Sequence, residues 1–336
     1  MSDPREVRRA SARFCDKNDA LAVFSLGATF LIYVLSLGTA AYLGATSLWT
    51  LPLIVIAAGA MIRLYVLQHD FGHLSFFTSP RANEWAGHAV SVFTLAPFRA
   101  MQYNHNLHHA GVGSLDHRET GEVYTMTLEE WQNAPAWKRA AYRAYRNPVI
   151  MLALGAFLIF VFRYRWPKNA TRAGRAQIIL HNAAMLAFGA GLVWLFGWAA
   201  LWVLAATIFL AGIVGSFLVY LQHNFEDTYW EHQGSRSFAQ AALMGSSQLD
   251  LGHWFDIITA NINWHDLHHI NPQIPSYRLR KCHAALRREG VLEARLIGWR
   301  DAMASLRLKL WDEEAKRLVP FPRERESSTA QDTATA

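Results

Sequence analysis

Four long apolar stretches dominate this sequence and restrict its fold more than any other feature. A helix needs about 20 residues to cross a hydrocarbon core of roughly 30 Å. Four stretches reach that length, namely residues 21–43, 49–68, 178–198 and 200–221. Only a short turn separates the first from the second and the third from the fourth. Each pair therefore predicts a transmembrane hairpin, and the chain is predicted to be an all-α membrane protein with four membrane-spanning helices.

The chain also has a substantial polar part. Hydrophobic residues make up 52% of it and charged residues 17%, yet the mean hydropathy is only +0.07. Neither hairpin turn contains Lys or Arg, whereas residues 163–175 contain five basic residues. The N-terminal segment contributes Arg5, Arg8, Arg9, Arg13 and Lys17. By the positive-inside rule, both termini and the long middle segment face the cytoplasm, and we expect a multi-pass protein of a bacterial inner membrane.

Two shorter apolar runs do not predict further spans. Residues 85–98 are interrupted by His88 and Pro97, and residues 149–162 fall short of a comfortable span. We interpret both runs as interfacial or re-entrant. The resulting division is a cytoplasmic tail (1–20), a main domain (21–285, with 69–177 and 222–285 cytoplasmic or interfacial), a C-terminal cytoplasmic helical segment (286–322) and a disordered tail (323–336).

Several protein classes are excluded by composition. Cys15 and Cys282 are the only cysteines, too few for a disulfide scaffold or a cysteine-ligated cluster. No glycine-rich phosphate-binding fingerprint is present, which argues against a bound nucleotide or flavin. The net charge of +6 does not indicate nucleic-acid binding, because the basic residues lie beside apolar segments.

Histidine is the residue type that points to chemistry. The chain has 15 histidines, and nine fall in four short segments with helical spacing. Residues at i, i+3 and i+4 share a helix face, and neutral imidazole binds iron, copper, zinc and nickel. All four segments are predicted at the cytoplasmic end of the spans. The nine are His69 and His73 (HDFGH), His105, His108 and His109 (HNLHH), His223, and His265, His268 and His269 (HDLHH).

Nine ligands exceed what one metal ion with an open position can use. They match two ions with four or five nitrogens each, so we predict a di-metal site held by a cytoplasmic helical cap. A closed structural zinc site is disfavoured, because such sites are tetrahedral and usually include thiolates. The other six histidines are interpreted as ordinary polar residues: His88, His117, His181, His232, His253 and His283.

At these residues the sequence resembles the membrane-bound fatty acid desaturases. That family is defined by three histidine boxes, HxxxH, HxxHH and HxxHH, which read here HDFGH, HNLHH and HDLHH. The likeness extends over about residues 50–285 and includes LQHNFED and HHINPQIPSYRL, typical of the omega-6 or acyl-lipid branch. The resemblance implies two non-haem iron ions, with O2 as co-substrate. The eight box histidines carry over as ligands, and His223 as the ninth.

Acids beside imidazole ligands commonly accept the second ring N–H and so orient the ring. Candidates for this role lie in or near the boxes: Asp70, Asp116, Glu119, Glu122, Glu226, Asp227 and Asp266. Of these, Glu226 and Asp227 are preferred, because they follow His223 by three and four residues.

The substrate implied by a metal site at a bilayer is an acyl chain carried by lipid, coenzyme A or a carrier protein. Aromatic residues near the boxes could line its tunnel: Phe71, Phe76, Phe77, Phe93, Phe98, Trp254, Phe255 and Trp264. Arg63 is a cation inside the second span, a rare placement. It could reach the interface, pair with an acid or meet a substrate head group.

Electrons must come from a separate partner, such as a ferredoxin or a cytochrome b5-like protein, because the sequence shows no flavin or haem motif. The same site could instead support a hydroxylase, acetylenase, epoxygenase or carotenoid ketolase. A metal transporter or sensor is a third interpretation. It is disfavoured because such a protein should place ionisable groups through the middle of its spans, whereas these histidines gather at one end.

Overall fold

The four predicted spans are long helices in the computed structural model, which describes residues 2–44, 46–118, 123–165, 174–293 and 295–322. Each is long and apolar enough to cross a membrane. Two of them run further than expected, so that His69 and His223 lie on the last helical turns. The prediction of four membrane-spanning helices is confirmed. They are α2 (Asp19–Leu43), α3 (Thr50–Gly72), α9 (Arg175–Phe196) and α10 (Ala199–His223).

Local sequence explains the hairpins. The Asn18 side chain caps the start of α2 by accepting a hydrogen bond from the Leu21 N–H. Gly44 (φ +69°) ends α2 and Gly197 (φ +77°) ends α9, a left-handed backbone that glycine adopts without steric cost. The large side chains around these turns point outward, with Trp194 84% exposed. Exposed tryptophans of this kind suit a membrane interface.

The remaining helices are shorter, and several of them pack against the spans. Helices α7 and α8 are bent against each other by 62°, as a broken span or a re-entrant segment would be. A π-helical turn (Leu158–Phe162) and a 3-10 turn (Arg163–Arg165) follow α8. The helices are α1 (Pro4–Ser11), α4 (Pro80–Thr94), α5 (Phe98–Gly111), α6 (Leu128–Gln132), α7 (Ala136–Tyr145), α8 (Pro148–Phe157), α11 (Phe238–Met244), α12 (His253–Ile258), α13 (His265–Ile270), α14 (Ser276–Arg288) and α15 (Trp299–Ser305).

Short strands tie the polar segments together. They are β1 (Met126–Thr127), β2 (Gln248–Leu249), β3 (Leu296–Ile297), β4 (Leu310–Asp312) and β5 (Arg317–Val319). β1 pairs with β4 in parallel, β4 with β5 antiparallel, and β2 with β3 in parallel.

The structure adds a helix to one predicted terminal segment and corrects the other. The predicted tail 1–20 contains α1, which packs on α11, α13 and α14 and buries Val7 completely. Segment 286–322, predicted to be helical, contains α15 but also β3, β4 and β5. The β4–β5 hairpin forms because Leu310, Trp311 and Leu318 are all buried, so burial across a short turn outweighs helix propensity. The predicted disordered tail 323–336 lies outside the described residues.

Candidate metal centre

The nine histidines of the sequence pattern converge from four elements. α3 carries His69 and ends at His73, and α10 ends at His223. The two triplets lie on α5 and α13. Within the described residues, the nine form two groups. Inside each group, the ligand nitrogens all lie within 4.8 Å of one another. Group one is His69, His73, His105, His109 and His268; group two is His108, His223, His265 and His269.

Each triplet is divided between the two groups. On α5, His105 and His109 belong to group one and His108 to group two. On α13 the division is reversed, with His265 and His269 in group two and His268 in group one. An i, i+4 pair lies on one helix face and the intervening residue lies beside it. The HxxHH spacing thus lets one short helix serve two neighbouring ions.

Short contacts define each group. In group one, His105 Nε2 lies 2.9 Å from His73 Nε2 and 2.8 Å from His109 Nε2. In group two, His265 Nε2 lies 3.1 Å from His223 Nε2 and 3.0 Å from His269 Nε2. The groups adjoin, because the rings of His109 and His269 stack with centroids 4.1 Å apart. All of group two is buried, whereas three members of group one are partly exposed.

The environment keeps five of these imidazoles uncharged. Burial, followed by the neighbouring histidines, holds the pKa of five of the rings well below the ordinary value of 6.5. Imidazole binds a metal only in its neutral form, so the rings are ready to act as ligands near neutral pH. These five are His105, His109, His265, His268 and His269.

An unsatisfied nitrogen also indicates a metal. His69 Nε2 is buried and has no hydrogen-bond partner among the described residues, and an unpaired polar atom of this kind is costly. A metal ion bound by group one would satisfy it. The donor set is entirely imidazole, which suits a first-row transition metal. The residues therefore fit a pair of metal ions.

A backbone carbonyl orients one ligand. His223 Nδ1 donates a hydrogen bond to the Gly245 carbonyl oxygen at 2.9 Å, leaving Nε2 to face His265. Such a contact fixes the tautomer and the direction of a metal-binding ring. Gly245 is needed at this position, because a Cβ there would lie 2.5 Å from the Ala241 carbonyl oxygen. Sequence reasoning missed this residue, since nothing in its local pattern connects it to His223.

Two of the predicted acids lie beside the site. Asp70 Oδ1 is 3.4 Å from His69 Nδ1, and its other oxygen accepts a 2.7 Å hydrogen bond from the Ser276 N–H at the start of α14. Asp266 instead accepts from Gln248, whose carbonyl oxygen also accepts from His283 Nε2 at 3.0 Å. Burial raises the pKa of Asp266 to about 7.

Three of the other predicted acids are at the surface. Asp116 accepts from His232 and from the Gln233 N–H. Glu226 pairs with Arg317 and Asp227 with Arg295. These contacts do not support a role in orienting the imidazoles, because each carboxylate is satisfied by another partner. Glu119 and Glu122 lie outside the described residues.

The Arg63 side chain makes its hydrogen bonds with neutral oxygens. It donates to Ser25 and Thr29 at 3.1 Å each and to the carbonyl oxygen of Ile257. It therefore ties α2 and α3 to the end of α12. Gly59 supports the same contact, because the Ile258 side chain packs 3.7 Å from the position of its missing Cβ.

Several of the predicted tunnel aromatics pack against one another instead. The Phe71, Phe76 and Phe77 rings lie with centroids 5.1–5.8 Å apart and are buried. Trp264 stacks on His283. Trp254 on α12 is 55% exposed, so it faces outward beside the spans.

The fold and the two histidine groups define a membrane protein with two adjoining all-imidazole clusters, each of which could hold a metal ion. A profile of the fatty acid desaturase family matches residues 45–300, and the chain belongs to that family. The resemblance seen in the histidine boxes is thereby confirmed. Family membership makes the protein an oxidoreductase that acts on fatty acids.

Individual relatives give further detail. The chain is 36% identical over 321 residues to a fatty acid desaturase of Bacillus subtilis, covering 94% of this chain and 90% of that protein. It is 29% identical over 300 residues to an sn-1 acyl-lipid omega-3 desaturase (ferredoxin) of Synechocystis, covering 84% and 80%. An sn-1 oleoyl-lipid 12-desaturase of Synechocystis is 27% identical over 257 residues, covering 73% and 71%.

Proposed function

We propose that this protein desaturates the acyl chains of membrane lipids with O2, using an iron ion in each histidine group. One double bond requires an acyl –CH2–CH2– unit, one O2, two electrons and two protons, and it yields –CH=CH– and two water molecules. The observation that carries the proposal is the division of nine imidazoles into groups of five and four at one end of membrane-length helices. The bound irons would supply the oxidising power that side chains lack.

The residues of the chain then have three tasks. The nine imidazoles hold the ions, and the Gly245 carbonyl fixes His223. Burial of group two excludes water from the inner side of the site. Helix α12 provides an apolar surface beside the spans, where Trp254 and Ile257 are both 55% exposed. It contacts α3 near Gly59. At 1.5 Å per residue, Gly59 lies about 15 Å along the helix from His69, so an acyl chain that packs on α12 within the bilayer lies near the site.

Product analysis of the full chain tests this proposal. Expression in a host without polyunsaturated lipids should add a double bond to lipid acyl chains, detected by mass spectrometry. His108→Ala removes a ligand from group two and His268→Ala removes one from group one, so each should abolish the product. His232→Ala is the matched control, because His232 is a surface residue paired with Asp116 and Glu313, and it should retain activity.

The same experiment separates the alternatives. Detection of a hydroxylated, epoxidised or acetylenic acyl chain would mean that the same site catalyses another reaction instead of desaturation.

Iron content is a second test. Purified protein should contain two irons per chain. Full activity with far less iron would refute the di-iron proposal.

We place the histidine end on the cytoplasmic side of a bacterial inner membrane. The basic residues beside the spans support this orientation, as does the packing of α1 on α13, which puts the N-terminus on the histidine side. A fluorescent protein fused to the N-terminus should therefore fluoresce in the cytoplasm. Periplasmic alkaline phosphatase activity from the same fusion position would contradict the orientation.

The electron donor is proposed to be a ferredoxin-type protein. One Synechocystis relative has the word ferredoxin in its name, which supports this donor. A basic face on the histidine side would also suit an acidic carrier. A cytochrome b5-like protein is the alternative. Purified desaturase supplied with each reduced donor in turn distinguishes the two by the rate of double-bond formation.

A further inference from the structure

Helices α1 and α14 place a concentrated positive charge beside one helix of the candidate metal centre. Together they contain eight basic residues and one acidic residue, Glu6. Their net charge, eight minus one, exceeds the net charge of +6 of the whole chain. Both helices contact α13, which carries three of the nine histidines. The Asn271 side chain at the end of α13 donates a 3.0 Å hydrogen bond to Ser11 Oγ of α1.

Five of these basic side chains form what we call the α1–α14 face. On α1, three of them follow i, i+3, i+4 spacing and lie opposite the buried Val7. On α14, two lie seven residues apart, again on one side of the helix. All five are exposed and none makes an ion pair with a residue that the structure describes. The face is Arg5, Arg8, Arg9, Lys281 and Arg288.

Neighbouring basic residues are neutralised and do not belong to the face. Arg13 pairs with Glu289 at 2.5 Å, and Arg280 pairs with Asp256 at 3.3 Å. Arg13 and Arg280 therefore add little uncompensated charge to the face.

A stacked pair of rings lies beneath this face. His283 on α14 is two residues from Lys281, and its ring stacks on Trp264 with centroids 3.8 Å apart and planes at 19°. Both residues are buried, at 6% and 5% exposure. Trp264 directly precedes His265 of group two. This stacked pair thus connects the helix that carries part of the face with the residue next to the predicted ligand His265.

The surface chemistry favours a protein partner over lipid. Among the described residues, none of the large exposed hydrophobic side chains lies on α1 or α14. Helix α7 is the contrasting case, because it combines Lys138 and Arg139 with Trp137, which is 72% exposed. Basic residues with an exposed aromatic residue are typical of a helix in the lipid headgroup region. A purely charged face without apolar anchors fits an acidic, soluble protein.

We propose that the α1–α14 face is the docking surface for an acidic one-electron carrier protein that reduces the metal centre. This inference rests on the proposed desaturase function. Each docked carrier is oxidised by one electron, so two dockings supply the two electrons that, with two protons and the two acyl hydrogens, reduce one O2 to two waters.

The test uses the full chain in phosphatidylcholine vesicles with reduced ferredoxin as the carrier. Lys281→Glu/Arg288→Glu and, separately, Arg8→Glu/Arg9→Glu reverse two charges each. Both variants should raise the KM for ferredoxin at least tenfold and weaken its dependence on ionic strength, because steering by charge is screened by salt. Their activity with photoreduced deazariboflavin, a small uncharged donor, should equal that of the wild type.

The matched control is Lys138→Glu/Arg139→Glu on α7, which makes the same change of charge elsewhere and should leave the KM for ferredoxin unaltered. An unaltered KM in both face variants would overturn the proposal, as would an equal rise in the control. A KM that responds to added phosphatidylglycerol instead of to the face variants would assign the face to lipid and equally overturn it. If the wild type forms no double bond with either donor, the desaturase function itself fails, and the two failures remain distinguishable.

Discussion

The contact between His223 and Gly245 makes a sharp prediction about metal retention. In Gly245→Ala, the new Cβ would lie 2.5 Å from the Ala241 carbonyl oxygen, whereas ordinary contacts begin at 3.4 Å. The backbone at residue 245 must then move by about 0.9 Å, which takes its carbonyl oxygen from 2.9 Å to beyond hydrogen-bonding distance of His223 Nδ1. Loss of such an orienting partner typically costs about 10–100-fold in metal affinity, or about 1.4–2.7 kcal/mol.

The assay is iron content per chain after dialysis against a series of chelator concentrations. One of the two irons should be removed from Gly245→Ala at a chelator concentration about 10–100-fold lower than from the wild type, while the other iron is retained as before. The selectivity follows because His223 serves only group two. Gly234→Ala is the control, because its Cβ would meet no atom within 4 Å. Identical retention in wild type and Gly245→Ala would refute the reasoning.

Three further predictions follow from the contacts around the site. Asp70→Ala leaves the buried N–H of Ser276 without its acceptor and should lower the free energy of unfolding by about 1–3 kcal/mol. Asp70→Asn keeps an acceptor and should lower it less, and equal decreases for the two variants in denaturant melts would contradict this. Burial lowers the pKa of Lys309 from 10.5 to about 8, so unfolding takes up a proton between those pH values and the free energy of unfolding should rise with pH there. Lys309→Met should lack this rise when melts at pH 7.5 and 10.5 are compared, and the same rise in the variant would count against the reasoning. Chelation of both ions should lower the melting temperature of the wild type, because ions that bind only the folded state stabilise it, and iron should restore it; a melting temperature unaffected by chelation would argue that the histidine groups do not bind metal.

Much of the fold could be predicted from sequence because its signals are local. An apolar stretch of sufficient length needs no tertiary information to indicate a span, and α2, α3, α9 and α10 lie within a few residues of the predicted limits. The grouping of the nine histidines was equally accessible, since helical spacing and topology place them at one end of the spans.

The parts that could not be predicted depend on contacts between distant residues. Asp70 accepts from Ser276, 206 residues away, and nothing near either residue indicates the pairing. Glu226 and Asp227 were preferred for their closeness to His223 in sequence, yet they turn to Arg317 and Arg295 at the surface. Closeness in sequence does not predict a contact with His223 here, because α10 ends at His223 and the backbone changes direction after it.

The opposite division of the two triplets has a mechanical consequence. Because α5 and α13 each contribute to both groups, a displacement of either of these two helices would disturb both groups in the same movement. The distance between the two groups is thus set by residues of two helices rather than of loops. Evolution could therefore reshape the acyl-binding surface around this centre with the spacing of its ions left intact.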